Sequence, residues 1–143
     1  MRVLAIDYGD ARTGIAVSDA MGCMAGFTTV IQGHNPKAVA VEIGRLAKAH
    51  DAGTLVMGYP KNMDGTEGPR AELYRDFADL VAETVGITPV LWDERRTTID
   101  AHRILSETGN RGKKRKEKVD AVAASLILEG YLIFLRNSSR QPT

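Results

Sequence analysis

Apolar and polar positions divide the chain into short strand-like runs in its first third and helix-like segments alternating with strands afterwards. The runs 2–8 and 13–18 are separated by only four residues, which predicts an antiparallel hairpin. A third strand is predicted over 27–31. All three runs are short enough for strands and too short for independent helices.

Apolar residues first recur at helical spacing after the third strand. Asn35 followed by Pro36 predicts a helix start, because asparagine caps the first amides and proline fits the first turn. The helix should end near 51–53, with an apolar strand at 54–57 and a turn-rich loop at 58–65. Its predicted buried residues are Val39, Ile43, Leu46 and Ala47.

The second half repeats the alternation of helix and strand. A strand at 88–94 follows the second helix, a short helix begins at Thr97 or Thr98 and stops at Gly109, and the last helix covers 116–135. The second helix is predicted to bury Leu73, Phe77, Leu80 and Val81. The last helix is predicted to bury Val119, Val122, Ala123, Leu126 and Ile127, with an adjoining stripe of Asp120, Ala123, Ala124, Ile127 and Tyr131.

This order of elements predicts an α/β fold with one mixed five-stranded sheet flanked by helices, the order of the ribonuclease H-like fold. A length of 143 residues suits one domain, which we place at 1–136 with a flexible tail at 137–143. Hydrophobic residues make up 43% and charged residues 26%, as in an ordinary globular domain, and no apolar run is long enough to cross a membrane. Met1 and Arg2 lead directly into a strand, which argues against a signal peptide. Cys23 is the only cysteine, so no internal disulfide forms and a reducing cytoplasm is expected.

Three acids stand at positions where a carboxylate needs compensation. Asp7 ends an apolar strand, Glu94 ends another, and Asp120 lies on an apolar helical stripe. An ionised carboxylate taken out of water needs donors, a proton or a cation. Divalent Mg²⁺ or Mn²⁺ would supply that compensation, because such hard cations prefer oxygen ligands. The pattern therefore predicts a metal-dependent nuclease whose catalytic and metal-binding residues are these three acids.

Each acid also has a purely structural interpretation. Asp7 can be a turn residue that accepts from the following amides, Asp120 can be a partner of a helix dipole, and Glu94 can belong to a surface ion pair. The basic residues near Asp120 can likewise be solvated surface, or can bind phosphate from a loop before the last helix. The predicted phosphate-contacting residues in this segment are Lys113, Lys114, Arg115 and Lys116.

Four motifs, in order, resemble those of the YqgF/RuvX family. The first is Ile6-Asp7-Tyr8-Gly9 with Arg12, Gly14, Ala16 and Ser18-Asp19; the second is Val56 to Pro60 with Asn62 and 65–68; the third is Asp93-Glu94-Arg95 with Thr97-Thr98; the fourth is Lys118-Val119-Asp120 with Ala123-Ala124. The resemblance covers nearly the whole chain. Tyr59 and Arg96 depart from it, because aliphatic residues are expected there.

The resemblance implies a relative of Holliday junction resolvases in fold, with the activity of a nuclease that matures the 5′ end of the small-subunit ribosomal RNA precursor. It implies nucleic acid, and ribosomal particles, as partners. Arg12 and Arg95 are further candidates for phosphate contacts or else structural partners of nearby acids. Asp19 and Asp93 are candidates for supporting the metal ligands.

Three alternatives stay open at this point. A Holliday junction resolvase would use the same acids on branched DNA, and would need two sites related by a twofold axis. A binding module would keep the fold without activity. The hairpin around Asp7 also resembles the phosphate-binding hairpin of actin-like and sugar-kinase ATPases, but one domain and no Walker-type loop argue against an ATPase.

Overall fold

The computed structural model describes residues 2–22, 24–59, 70–93 and 112–140, with the side chains of the last segment described over 121–137. We number the elements along the chain. They are β1 (Arg2–Asp7), β2 (Arg12–Ser18), β3 (Ala25–Gln32), α1 (Pro36–Ala49), β4 (Ala52–Tyr59), α2 (Arg70–Val85), β5 (Val90–Asp93) and α3 (Gly112–Arg140).

The five strands form one mixed sheet in the order β3-β2-β1-β4-β5. β1 and β2 form the predicted antiparallel hairpin, with Asp7 opposite Gly14, and β3 continues it antiparallel to β2. β4 and β5 both run parallel to β1. The predicted five-stranded α/β architecture is therefore confirmed, and β1, which carries Asp7, is its central strand.

Helices cover both faces of the sheet. α1 and α2 pack on one face, over a cluster that includes Leu4 and Ile6 of β1. α3 packs on the other face, against Val3 and Ala5. Alternate residues of β1 thus enter opposite cores, which is why its sequence is apolar at every position from Val3 to Ile6.

α1 begins as predicted. The side chain of Asn35 accepts hydrogen bonds from the amides of Lys37 and Ala38 at 3.0 and 3.2 Å, and Pro36 occupies the first turn. All four of its predicted inward residues are buried. The helix ends at Ala49, earlier than expected, and β4 therefore starts at Ala52 and extends to Tyr59.

The predicted buried face of α2 is partly wrong. Leu73 is 42% exposed and Leu80 is only partly buried, whereas Phe77 and Val81 are buried as expected. The helix is rotated so that Tyr74 faces the core. Its buried residues are Ala71, Tyr74, Phe77, Ala78 and Val81, which also recur at helical spacing.

α3 is longer than predicted, and the stripe it buries is the adjoining one. Val122 and Leu126 are only partly buried. The buried residues are Ala123, Ala124, Ile127, Leu128, Tyr131 and Leu132. Small residues at 123 and 124 allow the helix to lie close to the sheet, which favours this face over the bulkier one.

The ends of α3 also differ from expectation. The helix starts at Gly112, so the basic residues 113–116 are helical and do not form a loop; lysine and arginine are good helix formers. At the other end the helix continues to Arg140, four residues beyond the expected boundary of the domain. The loop predicted at 58–65 is wrong at its first two residues, because Gly58 and Tyr59 belong to β4. The rest of that loop and the short helix predicted to end at Gly109 lie outside the described residues. No helix in the described part of the chain is long and apolar enough to span a membrane.

Candidate active site at the end of the central strand

Asp7 is the last residue of β1, and its position along the strand decides which way it faces. Val3 and Ala5 belong to the core beneath α3, while Leu4 and Ile6 belong to the core beneath α1 and α2. By the same alternation Asp7 lies on the α3 face. The residue is half-buried, at the carboxyl end of the sheet's central strand.

Glycines occupy the neighbouring positions on the strands to either side. Gly14 of β2 is the direct partner of Asp7, and Gly58 of β4 lies two residues beyond Val56, which faces α3. Both glycines are buried and lie on the same face as Asp7. Neither glycine has a side chain that would project from the sheet beside the Asp7 carboxylate.

The backbone of Asp120 is part of α3, one turn before Ala123 and Ala124. Both alanines are buried, at 2% and 0% exposure, and Ala124 belongs to the core between α3 and the sheet. Asp120 precedes these two alanines by three and four residues along the helix. Its side chain lies outside the described residues, as do those of the four basic residues at 113–116.

β5 leads to the second predicted acid. Trp92 faces α3, where its ring meets Tyr131 edge-on with centroids 5.8 Å apart and lies close to Gly130. Asp93 is the next residue, pairs in register with Tyr59, and by alternation lies on the opposite face. Glu94 and Arg95 lie outside the described residues.

Arg12 and Asp19, two further residues proposed from the sequence, lie at opposite ends of the sheet. Arg12 begins β2 two residues before Gly14, is half-buried, and lies at the same end of the sheet as Asp7. Asp19 is at the opposite end, because the Ser18 hydroxyl before it accepts from the amide of Val3 at the start of β1. In the β2–β3 turn the amide of Asp19 donates to the Met24 carbonyl at 2.9 Å. The expectation that Asp19 supports a metal ligand next to Asp7 is therefore wrong.

Sequence reasoning missed an ion pair at the Asp7 end. Arg70, the first residue of α2, contacts Asp10 of the β1–β2 turn at 3.2 Å and lies over the ring of Tyr74 at 5.7 Å. Side-chain hydrogen bonds raise the pKa of Arg70, and the one to Tyr74 has a larger effect than the one to Asp10. Burial raises the pKa of Tyr8, with Asp10 adding to the effect and Arg70 opposing it. The sequence signal that could have revealed this contact is a second set of residues at helical spacing, which places α2 against this turn. These residues are Ala71, Tyr74, Phe77, Ala78 and Val81.

An open groove elsewhere among the described residues does not contain this site. It has a volume of about 690 Å³ and lies between the edge strand β3 and α1. Phe27, Thr29 and Ile31 form part of its wall, and Glu42 and Arg45 of α1, which are paired with each other, form another part. None of the predicted site residues lines it.

The donor chemistry at Asp7 suits a divalent cation. Its oxygens are hard donors, it is half-buried, and glycines flank it on both sides. Among the side chains that the structure describes, no group of three histidines, cysteines or acids is placed to hold a metal. Asp7 is the only one of the three predicted ligands among those side chains.

The five-stranded fold is ribonuclease H-like, and solved structures agree. *Thermus thermophilus* RuvC has a TM-score of 0.57 at 13% identity, over the whole of both chains. The same organism's RuvC in complex with a Holliday junction has a TM-score of 0.60 at 13% identity, covering 100% of this chain and 99% of that one.

Sequence comparison then identifies the family. Residues 1–133 match the family model described as RuvX: Holliday junction resolvase, so the chain belongs to the RuvX family. A *Carboxydothermus hydrogenoformans* protein named "Putative pre-16S rRNA nuclease" is 44% identical over 132 residues, which is 92% of this chain and 96% of that protein. A *Halothermothrix orenii* protein of the same name is 43% identical over 92% of this chain and 94% of its own.

Proposed function

We propose that this protein is a metal-dependent endonuclease that processes the 5′ end of pre-16S ribosomal RNA. Relatives at 43% and 44% identity over nearly the whole chain carry the name of a pre-16S rRNA nuclease, and this supports the substrate. The position of Asp7 carries the chemistry. It places a half-buried carboxylate at the end of the central strand, between two glycines, on the face covered by α3.

In this proposal Asp7, Glu94 and Asp120 hold one or two Mg²⁺ or Mn²⁺ ions. Glu94 follows Trp92 by two residues, the spacing at which strand residues share a face, and Trp92 faces α3. Asp120 precedes buried Ala124 by one helical turn. When bound, the metal supplies an activated water and stabilises the charge on the departing oxygen.

The chain's own contribution is to bind and orient the phosphodiester. Arg12 lies at the end of the sheet that carries Asp7, and Lys113, Lys114, Arg115 and Lys116 lie in the first turns of α3. We propose that these residues, together with Arg95, contact phosphates on either side of the cleaved bond. Binding should then weaken as salt concentration rises, because phosphate contacts release counterions.

The test follows end-labelled leader RNA of the 16S precursor in the presence of Mn²⁺. Asp7→Asn keeps the shape of the side chain and removes its charge, so it should fold normally and lose cleavage. Asp76→Asn is the matched control, since Asp76 lies on the exposed side of α2. Cleavage by the wild type and Asp76→Asn, but not by Asp7→Asn, would support the proposal. Equal cleavage by all three would refute the role of Asp7.

A Holliday junction resolvase is the second candidate, favoured by the description of the matching family. The same three proteins can be offered a four-way DNA junction under identical conditions. Junction cleavage that depends on Asp7, with no cleavage of the leader RNA, would favour this alternative. Binding of the RNA without cleavage of either substrate would favour a nucleic-acid-binding module.

A further inference from the structure

A buried hydrogen bond joins α2 to the residue that follows Asp7. The hydroxyl of Tyr74 donates to the carbonyl oxygen of Tyr8 at 2.7 Å, linking positions 66 residues apart. This distance is typical of a well-formed O–H···O hydrogen bond, and its burial protects it from competition by water. The bond therefore restrains the Tyr8–Gly9 peptide unit, which begins one residue after Asp7.

Aromatic packing holds the two tyrosines in this arrangement. The ring of Tyr8 stacks on Phe77 with centroids 3.8 Å apart and planes 6° from parallel. The Tyr74 ring meets Tyr8 edge-on at 5.6 Å. Tyr8 and Tyr74 are only 7% and 6% exposed, so both rings are fixed by the core beneath α2.

The turn after Tyr8 has little freedom to absorb a movement. A Cβ atom on Gly9 would lie 2.4 Å from the carbonyl oxygen of Arg12, so the chain folds back on itself at this point. The Ala11 carbonyl accepts from the amide of Gly33 at 2.9 Å, which ties the turn to the end of β3. A rotation of the Tyr8 peptide would therefore be transmitted to Asp7.

We infer that Tyr74 is a positioning residue, whose hydroxyl fixes the Tyr8 peptide and thereby the direction of the Asp7 carboxylate. The inference rests on the proposed function, in which Asp7 is a metal ligand. Tyr74 lies on α2, on the opposite side of the sheet from the face of Asp7, and acts through the backbone. Removing its hydroxyl should disturb the metal site without removing any ligand or substrate contact.

Tyr74→Phe deletes this one oxygen and keeps the ring. Removal of groups that orient a metal ligand typically weakens metal affinity by about 10- to 100-fold, and we expect a loss of about tenfold in Mn²⁺ affinity. The kcat should fall while the KM for RNA stays unchanged. Hydrogen exchange should accelerate over residues 8–11, because the turn loses a restraint.

Val81→Ala is the matched control. It removes buried volume from the same core face of α2 and lowers stability but leaves Tyr8, Phe77 and the Tyr74 hydroxyl in place, so Mn²⁺ affinity should not change. All variants are compared by calorimetry and by electron paramagnetic resonance of free Mn²⁺, at a temperature where each is fully folded. Equal loss of affinity in Tyr74→Phe and Val81→Ala would overturn the inference, because the effect would then come from packing alone.

Asp7→Asn separates this inference from the function on which it rests. If Asp7→Asn loses Mn²⁺ binding while Tyr74→Phe binds like the wild type, the role of Tyr74 is wrong and the proposed metal ligand stands. If Asp7→Asn binds Mn²⁺ like the wild type, the proposed site fails and the inference fails with it.

Discussion

Replacing Thr13 by valine should stabilise the protein. Thr13 lies on β2 with no exposed surface, and its hydroxyl oxygen has no hydrogen-bond partner among the residues that the structure describes. A buried polar group without a partner costs about 1–3 kcal/mol of desolvation. Valine has the same branched shape and replaces that hydroxyl by a methyl group, so we expect a gain of about 1–2 kcal/mol.

This gain is large enough to measure by thermal unfolding. At about 2.1 cal/mol/K per residue, a domain of this size unfolds with an entropy near 0.3 kcal/mol/K, so Tm should rise by roughly 3–7 °C. Thr28→Val on the exposed side of β3 is the control and should change stability by less than about 0.5 kcal/mol. If Thr13→Val instead lost about 1 kcal/mol or more, the hydroxyl would have to make a stabilising hydrogen bond in the native state.

Two further substitutions test the helices. Gly130→Ala should stabilise α3 by about 1 kcal/mol, because alanine favours a helix interior. The new Cβ would lie 3.4 Å from the Trp92 ring nitrogen, which is an ordinary contact. Urea unfolding should show a higher midpoint, and a lower one would mean that the helix cannot accept the methyl group. Asn35→Ala should destabilise the protein by about 1 kcal/mol, because two amides of α1 lose their acceptor. Thermal unfolding measures this loss, and an unchanged Tm would contradict the role of Asn35 as a helix cap.

The strands and the start of α1 could be predicted because local signals determine them. The short connection between two apolar runs was sufficient to predict the β1–β2 hairpin, and Asn35-Pro36 marks where α1 begins. These features depend on residues close together in sequence. Their agreement with the structure follows from turn geometry and capping rather than from distant contacts.

The buried faces of α2 and α3 were harder to predict for a physical reason. In α2, Leu73 and Tyr74 are adjacent, and both fit stripes that include Phe77 and Val81. Hydrophobicity favours leucine, but the buried carbonyl of Tyr8 provides an acceptor for the Tyr74 hydroxyl. That acceptor is 66 residues away in sequence, so helical spacing alone does not reveal it.

The identity of the candidate site residues could be predicted more readily than their surroundings. Asp7 stands out because it ends a strand that is apolar on both faces, and the structure places it at the end of the sheet's central strand. Arg70 and Asp10 were missed because each is an ordinary surface charge in the sequence. Only the fold brings them together beside the turn after Asp7.

The two glycines beside Asp7 are features of the sequence that point to the candidate site. A glycine inside a strand loses more conformational entropy on folding than other residues and contributes no side chain to packing, so it often marks a place where a ligand or another backbone comes close. Gly14 and Gly58 lie in the strands on either side of Asp7, and all three residues are on the face covered by α3. A side chain at either position would project from the sheet beside the carboxylate. We therefore interpret the two glycines as part of the candidate site, because neither puts a side chain beside the Asp7 carboxylate.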